Sequence, residues 1–199
     1  MPNWAEGTMK LRGKKKDVEQ FIRDNIIFVT RVAGKDVLND EYRERPVEIS
    51  WDGDETLELE QPSGLTDCLW VKDTQRTFID FDTYCCGFEL YDGKAGIPVY
   101  YFGGRDEEDP DILLVLPYKA AWSVHDETEE IFRKRSEEYH LRIRIYVVES
   151  GWGFFQTCTF NNGVTEESKV LPEKRWQADI GDARYSEFVW ECPVHWYGG

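Results

Sequence analysis

The sequence predicts an α+β protein, helices packed on an antiparallel sheet and enlarged by an acidic β-rich insertion. Three observations carry this. Alternating apolar residues mark many short strands, two stretches with apolar residues at helical spacing interrupt them, and a block between residues 40 and 111 holds 20 acidic against 6 basic side chains. The chain has 199 residues, 41% of them hydrophobic and 15% aromatic, which is ample material for one core, so we expect a single domain over 1–199 with the insertion at 40–117.

Taken in order, Thr8 to Arg12 places Met9 and Leu11 on one face and reads as a strand that Gly13 ends. From Lys15 to about Asn25, Val18, Phe21, Ile22 and then Ile26 fall at helical spacing, which gives an amphipathic helix lying on that strand. Val47, Ile49 and Trp51, then Leu57 and Leu59 across Asp52-Gly-Asp-Glu55, read as a β-hairpin over 47–60 whose outer face is glutamate. Further strands are expected at Thr77–Thr83, Gly87–Tyr91, Val99–Phe102 and Ile112–Leu116. Asp106-Glu-Glu-Asp-Pro-Asp111 reads as an exposed loop. A second helix follows Ser123 and runs to about Tyr139, supported by Glu129–Arg133 and Glu130–Lys134 pairs four residues apart. Leu141–Val148 and Phe154–Phe160 form two strands joined by Glu149-Ser-Gly-Trp-Gly153, and Tyr185–Cys192 reads as a last strand.

Pro2-Asn3-Trp4 with the first strand and helix, Ala121-Trp122-Ser123 with the second helix, and Tyr146 to Phe155 with its Gly-flanked turn resemble the YubB family of plasmid- and phage-borne proteins, which have no established activity. The resemblance covers the two ends of the chain, roughly 70 residues. Ala5, Glu6 and Gly7 depart from the family, which has Cys and a later Asn after its Asn-Trp. The resemblance implies a ferredoxin-like βαββαβ core, a bacterial mobile-element setting and no catalytic residues.

Bulk properties narrow the functional classes. A formal net charge of −15 repels nucleic acid, whose binding runs on basic side chains and counterion release; the local exception is Lys10, Arg12, Lys14, Lys15 and Lys16. The absence of a signal-like N-terminus and of an 18-residue apolar run leads us to expect a cytoplasmic protein with no membrane partner. Five scattered cysteines without CxxC spacing read as reduced thiols rather than a disulfide or zinc framework.

No histidine stands at catalytic spacing, since His125, His140 and His195 read as surface or capping residues. Gly103-Gly-Arg105 lacks the lysine of a phosphate loop, so no cofactor is expected. Most of the eight tryptophans read as core, with Trp152 set apart as an exposed contact in its Gly-flanked turn. The expected function is therefore a non-enzymatic binding or regulatory protein with a basic or nucleic-acid-binding protein partner. Its expected contact surface is acidic: Glu48, Asp52, Asp54, Glu55, Glu58, Glu60, Asp106, Glu107, Glu108, Asp109 and Asp111, with Trp152. The alternative is a carboxylate-dependent, cation-assisted hydrolase built on Asp80 and Asp82, about 7 Å apart on one strand face, together with Asp54.

Overall fold

In a computed structural model, residues 4–31, 42–62, 67–74, 76–81, 89–91, 93–102, 108–149 and 154–172 are described. The elements run β1 (Trp4–Lys14), α1 (Lys15–Asn25), β2 (Ile26–Arg31), β3 (Tyr42–Pro46), β4 (Ile49–Asp52), β5 (Thr56–Glu60), β6 (Asp67–Val71), β7 (Thr77–Ile79), β8 (Glu89–Tyr91), β9 (Lys94–Phe102), β10 (Asp111–Ala121), α2 (Asp126–Glu138), β11 (Arg142–Glu149), β12 (Phe154–Asn161) and β13 (Val164–Pro172). The main path of the sheet is β13-β12-β11-β1-β10-β7-β6-β2-β3.

The long strand β10 is the hinge of this topology. Along one edge it pairs with β1 from end to end; along the other, Asp111–Leu114 pair with β9 and Tyr118–Ala120 with β7. Pro117 falls in the fork between these two partners, where a residue without an N–H costs the ladder nothing. The β9 branch carries β5 and then β4, and separately β8. Ile112, Leu114, Leu116 and Tyr118 join the main core, while Leu113 and Val115 alternate to the other face and pack with Tyr100 and Phe102.

Both helices cover the main-core face. Val18, Phe21 and Ile22 of α1 and Phe132 of α2 are buried there with Met9, Leu11, Ile143 and Ile145. The helices touch each other through the Phe21 and Tyr139 rings, 5.5 Å apart edge to face, and through the Tyr139 hydroxyl donating to Asp24 Oδ2 at 3.0 Å.

The ferredoxin-like α+β expectation is corrected here. The described chain is dominated by thirteen antiparallel strands with only two short helices, and β7 and β6 stand between β10 and β2, where a ferredoxin-like unit would pair its strands directly. The residue pattern had hidden four strands, β2, β3, β6 and β13, with Asp67–Val71 of β6 assigned to no element. Ile26 to Val29 continues the apolar run of α1 without a break, every side chain of β3 is exposed, and β13 is an edge strand with Val164 and Val170 turned to solvent. The 47–60 hairpin forms as expected, Ile49 facing Leu59 and Trp51 facing Leu57. The strand expected at Tyr185–Cys192 lies outside the described residues, and no helix among those described is long and apolar enough to cross a membrane.

Candidate functional site

Four carboxylates of the acidic surface expected from the sequence, Glu58, Glu60, Asp109 and Asp111, are paired within the chain. Glu58 accepts from Lys94 at 2.5 Å and from Ser50 at 2.6 Å, and Arg45 forks onto Glu60. The basic cluster spanning the end of β1 and the start of α1 meets the start of β10 and the residues before it: Lys14 pairs with Asp111 at 3.3 Å and Lys16 with Asp109 at 3.0 Å. Lys15 lies over the Trp51 ring and Arg12 over Phe102, while Lys10 is buried. Two members of each charge run thus pair where β1 passes into α1. Glu48, Asp52, Asp54, Glu55 and Glu108 are exposed. Asp106, Glu107 and Trp152 lie outside the described residues.

The pairing has an acid signature. The Lys94 hydrogen bond holds the Glu58 carboxyl below its ordinary value of 4.5, and Arg45 does the same for Glu60. A carboxyl lowered on folding stabilises the fold above its unfolded value and loses that contribution as pH falls through its folded value. Hydrogen exchange at the β4–β5 amides is expected to rise as pH drops below about 4.5 after correction for intrinsic rates, and Glu58→Gln should flatten the dependence.

Of the alternative catalytic carboxylates, Asp80 and Asp54 lie at different elements, after β7 and in the β4–β5 turn. Asp80 is held by Lys119 at 3.0 Å, and the same lysine also pairs with Glu6 at 2.9 Å. Asp54 sits in the β4–β5 turn, where its backbone oxygen accepts from the Tyr101 hydroxyl, and Asp82 lies outside the described residues. Among the described residues, no group of three His, Cys, Asp or Glu side chains could hold a metal ion.

A different site forms where the β6–β7 turn meets the link from β10 to α2. Trp70, Thr74, Arg76, Ala121, Trp122 and His125 line an open cavity of about 520 Å³. Its backbone is strained: Asp73, Arg76 and Trp122 have φ of 60°, 51° and 72°, a region that costs a non-glycine residue roughly 1–3 kcal/mol. At Trp122 the Ser123 N–H donates to Ala121 O at 3.0 Å. With positive φ at the middle residue, this is the rare γ-turn, and Trp122 is 46% exposed.

The surroundings hold that geometry. Ala121 N–H donates to Arg76 O at 3.1 Å, tying strained Arg76 to the residue before Trp122, and Lys72 N–H donates to Asn25 O at 2.9 Å. Arg135 reaches from α2 to Lys72 O at 2.7 Å and Asp73 Oδ2 at 3.1 Å. Burial pulls the Arg135 pKa down from its usual value, against the opposing pull of Asp73. On the face turned away from the helices, Trp70 continues a chain of aromatic contacts: Trp4 to Phe78 at 5.6 Å, Phe78 to Trp70 at 5.0 Å and Trp70 to Tyr42 at 6.5 Å.

Sequence reading missed this site, having assigned Trp70 and Trp122 to the core and His125 to a surface or capping role. The available signal was Trp122 between a strand and a helix start, where the chain must turn. Compared with protein-family models, curated proteins and solved structures, the chain matches none.

Proposed function

We propose that the chain is a non-enzymatic binding protein that acts through protein contacts, and that its contact site is the cavity between Trp70 and Trp122 rather than the acidic strand. The observation that carries this reading is the exposed Trp122 indole on a strained γ-turn at the rim of a cavity. Strain of this kind is retained when surrounding structure enforces it, and it clusters at functional sites; tryptophan and arginine are the side chains on which contact energy concentrates. The exposed carboxylates remain suited to solubility. A cytoplasmic role in a bacterial mobile element belongs to this proposal and is supported by sequence pattern and resemblance.

The test separates function from folding. Trp122→Gly removes the indole and relieves the positive φ, so the thermal midpoint is expected to stay level or rise, while capture of a partner from a bacterial lysate falls at least tenfold, the loss of about 1.4 kcal/mol or more that an anchor tryptophan carries. A lower midpoint with capture unchanged would return Trp122 to a structural role.

A further inference from the structure

The cavity has a chemistry of its own. Trp70 and Trp122 are its aromatic lining residues beside His125, and Arg76 lines it as an exposed residue. Several of the chain's cations are already paired: Lys14, Lys16, Arg45, Lys94 and Lys119 each face a carboxylate within 4.0 Å. Arg76 has no ion-pair partner among the described residues. The carboxylate closest to it in sequence, Asp73, is engaged by Arg135 from the α2 side at 3.1 Å. Thr74 turns its hydroxyl back onto Val71 O at 2.5 Å, which leaves Arg76 as the cation offered to an occupant.

We propose that the cavity takes an acidic peptide segment of the partner, one that places an aromatic side chain against Trp70 and Trp122 and a neighbouring carboxylate on Arg76. This rests on the reading of the cavity as a protein-contact site and adds the chemistry of what enters it. A ring between the two indoles gains offset or edge-to-face contact in addition to burial. A carboxylate next to it matches the guanidinium fork, which binds that group with two parallel hydrogen bonds. A lysine or arginine from the partner would meet the Arg76 charge instead. The chain's net −15 opposes an acidic partner at a distance, so recognition belongs to salt near 0.1 M or above, where surface fields die away over about 10 Å and the short-range pair survives. This contrasts with the basic partner that composition suggested.

The test follows the protein's indole N–H signals in a ¹⁵N-labelled full-length sample, assigned through Trp70→Phe and Trp122→Phe. Capped tripeptides Glu-Phe-Glu, Gln-Phe-Gln and Lys-Phe-Lys and adenosine monophosphate are added at 0.15 M salt. The expected result is that Glu-Phe-Glu shifts the Trp70 and Trp122 signals selectively, binding at least tenfold tighter than Gln-Phe-Gln, and that Arg76→Gln erases this preference while the remaining spectrum stays in place. Equal binding of the neutral or basic peptide would overturn the acidic assignment but leave an aromatic contact site. Tighter binding of the nucleotide would overturn the peptide assignment. No selective shift with any probe would overturn the inference, and the lysate capture by Trp122→Gly would then decide the contact-site reading independently.

Discussion

Gly7→Ala is expected to unfold the protein or lower its stability by about 4 kcal/mol or more, the exceptional end of single-substitution effects. Gly7 lies in the middle of β1 between Tyr118 of β10 and Val147 of β11. A methyl group there would fall inside the van der Waals shell of the Tyr146 carbonyl and crowd the Val147 Cα. Both obstacles are backbone of a paired strand, so relief requires prising β11 from β1 rather than turning a side chain. Gly53→Ala is the matched control. Gly53 has φ +60° but nothing within 4 Å of the added carbon, so only the conformational cost of roughly 1–2 kcal/mol remains. Comparable denaturation midpoints for the two variants would mean that β1 does not sit between β10 and β11 as described.

Phe132→Ala carries the second large effect. The ring is fully buried at the centre of α2, in contact with Tyr118 of β10 at 6.3 Å between centroids. Truncating a buried phenylalanine typically costs about 3–5 kcal/mol, through lost burial and the cavity left behind. At this chain length that corresponds to a fall of roughly 10 °C in thermal midpoint. Ile131 is only partly buried, and the same truncation there should cost markedly less. Reversal of this order would place the packing face of α2 one residue away.

These two positions also mark what the sequence can and cannot convey. The faces of α1 and β1 are legible because one side is apolar and the other charged, so Val18, Phe21, Ile22, Met9 and Leu11 declare their burial by spacing alone. The Leu57 and Leu59 alternation does the same for the hairpin. Strand β3 is illegible because all its side chains face solvent and its place is set by backbone pairing to β2. The interposition of β7 and β6 next to β10 is a long-range choice that no local pattern encodes, and it is what turns the expected ferredoxin-like core into a β-dominated sheet.

The candidate site follows the same logic. The Glu48, Glu58 and Glu60 stripe was visible as composition, whereas Arg45 and Lys94, which neutralise two of its members, come from other strands. Asp109 and Asp111 were read apart from the Lys14–Lys16 run because 93 residues separate Lys16 from Asp109. Trp70 and Trp122 lie on different elements, and only the pairing of β10 with β7 brings their neighbourhoods together. Positive φ at Arg76 and Trp122 has no signature in residue type, since neither is a residue that favours it.

The most direct measurement of the central claim is a hydrogen-exchange footprint of the full-length chain, alone and in complex with its captured protein partner. Protection confined to peptides spanning 70–76 and 120–125, with the 47–60 hairpin unchanged, is the expected result for a contact site built on Trp70, Arg76 and Trp122. Protection over 47–60 with no change at 70–76 and 120–125 would contradict it and return the contact to the acidic strands.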